Sequence, residues 1–335
     1  MLIDKIFDKA TTLVVNCSNE YVLYLDTFLA SLYKNSSSNR NYDVVVFETT
    51  ISELNKEWLQ HKYNKKNFLI RFFNPSSILN LNNLIKTQAY YSKESFYKLI
   101  VPKLFKNYKK VIYSDIDIIF NCDISEISDI DISYRPIAAT RDLAFACLMD
   151  DNFQNYMKSS LGCENKFDYF SAGLIVYNLD LITMQDVDNM LSLLHNNVFI
   201  MQEQDLLNKY FNGKIYSLPY KYCFNIILAK KNNIKQLSRN SIYFQEYKDA
   251  VKYPKVLHYS GSTKPWNNIP INKYDFLWWK YSSKFRILKK NIFFLKDKFK
   301  LLFNVTQRKD NLYKYKCINI LGIKIKYKKK RKVKK

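Results

Sequence analysis

Glycine is scarce in this sequence, with 5 residues among 335. Neither G-x-G-x-x-G nor G-x-x-x-x-G-K-[ST] occurs in the chain. Both motifs depend on glycines that let the backbone approach a phosphate closely. The lack of them argues against a dinucleotide-binding fingerprint and against a P-loop.

Paired cysteines and long apolar runs are also missing. The 6 cysteines include no C-x-x-C pair, and several lie in apolar stretches, as is typical of buried free thiols in a reducing compartment. No apolar run approaches the roughly 18 residues that span a bilayer. Asp4 and Asp8 lie where a signal peptide would be apolar. We therefore expect a cytoplasmic protein.

Positive charge is concentrated at the C-terminal end. The net charge is +23, and residues 284–335 contain 20 Lys and Arg against 2 Asp and Glu. The first part of this tail predicts a basic amphipathic helix, because apolar residues recur every three or four positions with Lys and Arg between them. These apolar residues are Phe285, Leu288, Ile292, Leu295, Phe299 and Leu302. INILGIKIKY, which alternates like a strand, and the run KYKKKRKVKK follow.

This distribution predicts a domain over residues 1–283 and a basic tail over residues 284–335. Such a tail is typical of peripheral association with an anionic membrane surface, here the inner face of the cytoplasmic membrane. A tail that only keeps the protein in solution is the alternative. A nucleic-acid-binding protein is disfavoured, because the rest of the chain is nearly charge-balanced and has no recognised binding motif.

The first half of the chain alternates short apolar runs with longer amphipathic segments, which predicts an α/β fold with a mostly parallel sheet flanked by helices. The predicted strands are TTLVVNCS, YDVVVFET, NFLIRFF, KKVIYSD, Pro136–Thr140, Phe170–Asn178, Lys214–Leu218 and Lys255–Tyr259. The predicted helices are Tyr21–Tyr33, Ile51–Tyr63, Lys93–Phe105 (with Pro102 kinking or dividing it), Leu181–His195 and Gln202–Phe211.

The pentapeptide Ser-Asp-Ile-Asp-Ile occurs twice, and its two settings differ. The first copy follows the apolar letters VIY and places Asp115 and Asp117 at the C-terminal end of a buried strand, the edge where open α/β sheets bind ligands. A period of two directs both carboxylates to one side and Ile116 away from it. Two neighbouring carboxylates repel unless a positive charge lies between them. A metal site and a pairing with lysine both satisfy this requirement.

The second copy follows the polar stretch NCDISEIS, with no strand leading into it. We expect Asp129 and Asp131 to cap or solvate a turn. A third Asp-x-Asp, Asp186 and Asp188, lies in a predicted helix, where residues two apart diverge and serve as surface charge.

Four further stretches occur in a recognisable order with the first copy. They are YYSKESFYKLIVPKLFKNYKKVIYSDIDIIF, DYFSAGLIVYNLDLI, QEQDLLNKYFNGKIYSLPYKYCFN and VLHYSGSTKPWN. Over roughly residues 11–280 the chain resembles family 8 of the retaining glycosyltransferases, which includes bacterial lipooligosaccharide galactosyltransferases and glycogenin-like enzymes. The tail lies outside this resemblance.

The resemblance implies a GT-A fold, a Rossmann-like sheet that binds a UDP-sugar donor and a divalent cation, usually Mn²⁺. Asp115 and Asp117 match the Asp-x-Asp metal ligands of the family, and His258 matches its third protein ligand. Two carboxylates and an imidazole suit Mn²⁺ better than Ca²⁺, with Mg²⁺ as a possible substitute. His61 and His195 lack such a setting and are expected to be structural or exposed.

The resemblance also assigns residues to the donor site. In this assignment Tyr21 stacks on uracil, Lys98 approaches the phosphates or the sugar, Asp142 contacts the sugar, and Gly261 and Lys264 face the diphosphate. The other residues placed at the donor are Asn16, Cys17, Ser18 and Ile116. Packing of Tyr21 on a helix face, turn capping by Asp142 and simple exposure of Lys264 are the alternatives. Lys98 replaces the usual Arg and lacks its planar fork.

Three residues are assigned to the reacting sugar, and two of them depart from the family pattern. Gln204 matches the residue on the β face of the anomeric carbon, Glu203 replaces the usual Asp beside the sugar hydroxyls, and Ser171 replaces the usual Asn. The resemblance thus predicts transfer of a hexose, galactose or glucose, from a UDP-sugar to a glycan acceptor, such as a lipid-linked lipooligosaccharide core. A glycogenin-like protein that glucosylates itself is the alternative within the enzyme class.

Overall fold

The computed structural model describes most of residues 2–283 and three strands beyond them. The described residues are 2–79, 93–196, 199–231, 234, 237–239, 241–262, 264–267, 270, 272–283, 303–309, 313–320 and 323–330.

A seven-stranded mixed sheet forms the centre of the fold. Its strands are β1 (Thr11–Asn16), β2 (Tyr42–Phe47), β3 (Phe68–Phe73), β4 (Lys110–Ser114), β6 (Ile137–Arg141), β7 (Phe170–Asn178) and β8 (Ile215–Leu218). Their order is β3-β2-β1-β4-β7-β6-β8, and β7 runs antiparallel to both of its neighbours while the other pairs are parallel. The predicted mostly parallel α/β sheet is confirmed.

Helices cover both faces of this sheet. The helices along the chain are α1 (Val22–Asn35), α2 (Glu53–Tyr63), α3 (Val101–Leu104), α4 (Ser125–Ser128), α5 (Leu143–Leu148), α6 (Asp151–Tyr156), α7 (Met184–Asn196), α8 (Glu203–Tyr210), α9 (Ile226–Lys231), α10 (Ile242–Lys252) and α11 (Lys273–Tyr281). The predicted helix over Lys93–Phe105 is divided: a 3-10 helix spans Lys93–Ile100, and α3 follows with Pro102 in its first turn, where the missing N–H costs nothing.

The side chains of β1 alternate between the apolar clusters on the two faces of the large sheet. Leu13 and Val15 lie in the cluster that contains α1 and α2, whereas Val14 lies in the cluster that contains α3, α7 and α8. Because successive side chains of a strand point to opposite faces, a strand covered on both faces is mostly apolar, and its polar side chains need partners. All six residues of β2 and all nine of β7 are buried, and Asp43 in β2 pairs with Arg71.

A small sheet lies beside the large one and was not predicted as such. It consists of β5 (Ile118–Phe120), β10 (Val256–His258) and β9 (Phe224–Asn225), in the order β5-β10-β9. β10 runs antiparallel to β5 with His258 opposite Ile118. Since β5 begins directly after Asp117, this pairing brings His258 to the end of β4.

The C-terminal segment forms a third sheet. β11 (Phe303–Lys309), β12 (Tyr313–Ile320) and β13 (Ile323–Lys330) are antiparallel. The prediction of a single strand across INILGIKIKY is wrong, because β12 ends at Ile320 and β13 begins at Ile323. Period-two alternation does not reveal such a reversal when apolar residues continue through the connection. The exposed Lys326, Lys328 and Lys329 lie in β13.

The predicted amphipathic helix over residues 285–302 lies outside the described residues. Within the described parts of the chain, every helix is too short or too polar to cross a bilayer.

Tyr63→Phe tests the contact between α1 and α2. The Tyr63 hydroxyl donates to Asp26 Oδ1 at 2.6 Å, and Asp26 is 1% exposed. Loss of a hydrogen bond to a buried charged acceptor should lower the free energy of unfolding by about 1.5–3 kcal/mol, measured by urea denaturation. The exposed Tyr134→Phe control should stay within about 0.5 kcal/mol of the parent protein. Equal effects in the two variants would contradict the role of this contact.

Candidate active site

Three side chains of the types that ligate metals meet where β4 and β10 end. The backbone N–H of Asp115 donates to the Gly173 carbonyl on β7 at 2.8 Å, and that of Tyr259 donates to the Asp117 carbonyl at 2.9 Å. These bonds fix the chain on both sides of the cluster. One ligand atom each from Asp115, Asp117 and His258 lies within 4.8 Å of the others.

His258 faces the two carboxylates through Nε2. This atom lies 3.3 Å from Asp117 Oδ1 and 3.9 Å from Asp115 Oδ2. Burial lowers the pKa of His258, but the Asp117 carboxylate outweighs it and raises that pKa well above its ordinary value. For Asp117, burial raises the pKa, and the charges of Lys264 and His258 bring it below the ordinary value. The carboxylates therefore attract a positive charge, a proton or a cation, to Nε2.

Two lysines neutralise the same carboxylates. Lys98 Nζ lies 3.3 Å from Asp115 Oδ1 and 3.0 Å from Glu203 Oε1, and it also donates to the Ala172 carbonyl at 3.2 Å. Burial lowers the pKa of Lys98, but the two carboxylates more than offset this and raise it. Lys264 Nζ donates to Asp117 Oδ2 at 2.5 Å and to the Tyr259 carbonyl at 2.8 Å.

The charges of this group balance when one positive charge lies at His258 Nε2. Asp115, Asp117 and Glu203 supply three negative charges, Lys98 and Lys264 supply two positive ones, and a proton or a cation at Nε2 supplies the third. The Asp115 side chain is 31% exposed, while that of Asp117 is 13% exposed, so the group opens to solvent at Asp115. Two carboxylates and an imidazole on an open edge fit a divalent cation and leave coordination positions for oxygens of a substrate.

The other Asp-x-Asp pairs lie elsewhere. Asp131 lies in a turn as predicted, whereas Asp129 forms an ion pair and Asp186, predicted as surface charge, is half-buried and hydrogen-bonded at the start of α7. Asp129 forms an exposed ion pair with Arg40 at 2.6 Å. Asp131 accepts a hydrogen bond from the Ser133 backbone N–H at 2.9 Å, which forms a turn. Asp186 accepts from the Thr183 backbone N–H at 2.7 Å at the start of α7. None of the three is in a metal-ligating group of the described residues.

A glycine and a cysteine that the sequence did not single out lie against the His258 ring. A Cβ built on Gly173 would lie 2.4 Å from His258 Cε1, so only glycine fits there. Cys223 Sγ lies 3.7 Å from His258 Nδ1. A glycine inside the otherwise apolar FSAGLIVYN was a usable signal for Gly173, since such a residue marks a close approach. No local signal pointed to Cys223.

The start of α8 brings the predicted sugar-binding residues together. Gln204 Oε1 accepts from the Ala172 backbone N–H at 2.9 Å, and its Nε2 donates to Asp142 Oδ2 at 3.3 Å. Asp142 also caps α5, accepting from the Phe145 backbone N–H at 3.0 Å, so the capping alternative holds alongside the contact with Gln204. Ser171 is buried on β7, one residue before Ala172.

Asp205 anchors this helix and was also missed. Its carboxylate accepts hydrogen bonds from Tyr169 at 2.6 Å, from Tyr156 at 2.8 Å and from the Met201 backbone N–H at 2.7 Å. Asp205 is fully buried. Gln202, just before the helix, has φ +51° and ψ −122°, a strained conformation for a residue with a side chain. This strain marks the segment that positions Glu203 and Gln204.

The residues assigned to the nucleotide lie at the end of β1 and beside it. Asn16 donates to the Tyr113 hydroxyl at 2.9 Å, and the buried Cys17 thiol donates to the Ser18 carbonyl at 3.1 Å. Tyr21 is 45% exposed and contacts Tyr24, with ring centroids 5.4 Å apart. Its ring is therefore open to stacking rather than packed in a core.

The loop after β10 contacts helix α1. Trp266 stacks on Tyr24 with ring centroids 4.4 Å apart, which ties the loop to α1. Gly261 has φ +80°, a conformation that favours glycine.

Ile116 is partly buried and packs against the core that contains α1. His61 is exposed on α2, and the side chain of His195 lies outside the described residues.

Comparison with known proteins identifies the family. The model of glycosyl transferase family 8 matches residues 12–270. The chain belongs to this family. It is 27% identical over 268 residues to a putative glycosyltransferase of Haemophilus influenzae, covering 77% of this chain and 74% of that protein. It is also 23% identical to general stress protein A of Bacillus subtilis over 265 residues, 76% of this chain and 87% of that protein.

Solved structures share the fold. The galactosyltransferase LgtC, in complex with donor and acceptor sugar analogs, has a TM-score of 0.67 at 20% identity and covers 81% of this chain and 95% of its own. The bifunctional glycosyltransferase WbbM has a TM-score of 0.74 at 24% identity over 86% of this chain, which spans 53% of WbbM. The predicted GT-A fold is confirmed. Because the chain belongs to family 8, it is a glycosyltransferase. Enzymes of this family use nucleotide-sugar donors, glycan acceptors and usually a divalent metal.

Gly173→Ala tests how tightly β7 fits against His258. The added methyl group would overlap the ring, and overpacking of this kind costs about 1–3 kcal/mol in the free energy of unfolding, measured by urea denaturation. In a His258→Ala background the ring is gone, so the same substitution should cost little. An equal loss in both backgrounds would show that the methyl group meets something other than His258.

Proposed function

We propose that this glycosyltransferase moves a hexose, galactose or glucose, from a UDP-sugar to a hydroxyl of a glycan acceptor, with Mn²⁺ (or Mg²⁺) held by Asp115, Asp117 and His258. The observation that carries the proposal is the convergence of these three side chains at the carboxyl edge of the sheet. A bound cation there would neutralise charge that develops on the diphosphate leaving group. The fold shared with a galactosyltransferase supports the choice of a hexose.

The residues around the cation site suit a nucleoside diphosphate. Lys264 lies against Asp117 and carries a charge that can pair with a phosphate oxygen, and Gly261 lets the backbone come close. Tyr21 presents an exposed ring for the uracil. Asn16, Cys17 and Ser18 end β1 at the same edge of the sheet, where the ribose and base would lie.

Glu203 and its neighbours suit the sugar. Glu203 Oε1 pairs with Lys98, whereas Oε2 is buried and accepts no hydrogen bond from the described residues. A sugar hydroxyl would supply the donor that this oxygen lacks. Lys98 then acts by holding Glu203 and Asp115 in place rather than by a forked contact with the donor. Asp142 contacts Gln204, and Ser171 precedes Ala172, whose backbone N–H donates to Gln204.

The side chains near Gln204 bear on how a transfer that retains the α configuration would proceed. An amide is a poor nucleophile, and both carboxylates next to it in sequence are engaged: Glu203 pairs with Lys98, and Asp205 accepts hydrogen bonds from Tyr156 and Tyr169. We therefore favour front-face substitution. The bond from the anomeric carbon to the phosphate oxygen breaks, the bond to the acceptor oxygen forms on the same face, and the acceptor proton passes to the departing phosphate.

The tail suits an acceptor in a membrane. We place the boundary of the catalytic domain at residue 283 and assign residues 284–335 to an anionic bilayer at the inner face of the cytoplasmic membrane. The exposed lysines of β13 support this assignment. A lipid-linked acceptor such as a lipopolysaccharide or lipooligosaccharide core would then be presented at the surface to which the enzyme binds.

The duplicated pentapeptide supplies a matched pair of variants. Asp117→Asn should reduce Mn²⁺-dependent hydrolysis and transfer of UDP-galactose or UDP-glucose by at least about a hundredfold, because the cation loses a charged ligand. Asp129→Asn, in the second copy of the pentapeptide, should keep the rate within about twofold of the parent, since Asp129 only forms a surface ion pair with Arg40. Initial rates with each UDP-sugar, with and without EDTA, measure this.

Full activity of Asp117→Asn in EDTA would remove the metal site from the proposal. A mass increase of the protein itself with UDP-glucose alone would instead favour self-glucosylation.

A double variant tests the membrane assignment in the full chain. Replacing Lys326 and Lys328, which share one face of β13, with Gln should lower partitioning onto phosphatidylserine vesicles by about thirtyfold, since each lysine near such a surface contributes about 1 kcal/mol. The control replaces the exposed Lys103 and Lys106 with Gln and should bind like the parent. Vesicle binding that does not change, or parent protein that binds DNA but not vesicles, would contradict the assignment.

A further inference from the structure

The imidazole of His258 has two ring nitrogens with different partners. Nε2 faces Asp117 at 3.3 Å, and Nδ1 faces the sulfur of Cys223 at 3.7 Å. Cys223 ends a short 3-10 helix over Tyr220–Cys223 that leads directly into β9. Because β9 pairs with β10, with Asn225 opposite His258, the position of the thiol relative to the ring is set by the sheet.

Binding of a cation at Nε2 would determine which ring nitrogen of His258 carries the proton. A histidine binds a cation through the lone pair of one neutral ring nitrogen, and the proton is then on the other nitrogen. With a cation bound at Nε2 between the carboxylates, the imidazole proton lies on Nδ1, where Cys223 Sγ can accept it. A sulfur acceptor is weak, but both residues are buried, with Cys223 1% and His258 6% exposed, so water does not replace it easily.

Gly173 and Cys223 together leave the ring little freedom. Gly173 approaches the ring so closely that a methyl group in its place would overlap Cε1. Cys223 approaches the Nδ1 edge. Rotation of the ring about its bond to Cβ would move Nε2 away from Asp117 and Nδ1 away from the thiol at the same time.

We propose that Cys223 is a positioning residue for the cation site: its sulfur accepts the Nδ1 proton of His258 and so keeps Nε2 directed at the cation. The inference rests on the proposed metal site. It adds a partner of the metal-ligating histidine, a kind of interaction that tunes both the orientation of a ligand and its affinity for the metal.

The test compares two cations, because a loose imidazole affects them differently. In titrations with Mn²⁺ alone and Mg²⁺ alone, Cys223→Ala should weaken Mn²⁺ binding about tenfold. Mg²⁺ binding should change by less than about threefold, because Mg²⁺ prefers oxygen ligands. Cys223→Ser keeps an acceptor and should lie between Cys223→Ala and the parent. Cys122→Ala removes another buried thiol of the same core and should leave both affinities unchanged.

A His258→Ala background completes the test. If the thiol acts through the imidazole, Cys223→Ala should have no further effect on Mn²⁺ affinity once the ring is removed. Unchanged Mn²⁺ affinity in Cys223→Ala, equal losses for both cations, or additive losses in the double variant would overturn the inference. Parent protein that binds neither cation would instead overturn the proposed metal site itself.

Discussion

The site depends on balancing two carboxylates that the chain places two residues apart at the end of β4. Asp115 and Asp117 would repel each other if left alone. Each receives its own lysine, Lys98 or Lys264, and they share His258. These three groups come from the 3-10 helix before α3, from the loop after β10 and from β10 itself. The packing of separate elements is therefore what makes the paired carboxylates stable, and it leaves one side open to a cation and its substrate.

Periodicity and strand ends were enough to predict from sequence that Asp115 and Asp117 lie at the carboxyl end of a buried strand. The apolar run VIY identified a buried strand, and the carboxyl edge of such a strand is where ligands bind. The same reasoning separated identical pentapeptides, since Asp129 and Asp131 follow polar residues and lie in a surface ion pair and a turn. The nine residues of β7 were predicted with both ends correct, because a strand buried on both faces is mostly apolar.

Contacts between distant residues could not be predicted in the same way. Lys98 and Glu203 are 105 positions apart, and their pairing depends on how α8 meets the 3-10 helix. Cys223 resembles any other buried thiol until β9 and β10 are paired. The reversal between β12 and β13 was missed, because the apolar alternation continues across it. Sequence pattern indicates which face of a helix or strand is buried. The Lys98–Glu203 pair, the position of Cys223 and the reversal between β12 and β13 depend instead on which elements pack against each other.

Anomalous diffraction would locate the cation directly. Crystals of the full chain grown with UDP and Mn²⁺ would be measured at the manganese absorption edge. We predict one strong anomalous peak within coordination distance of Asp115, Asp117 and His258 Nε2. A peak at another place, or density for UDP with no anomalous peak at these three side chains, would contradict this prediction.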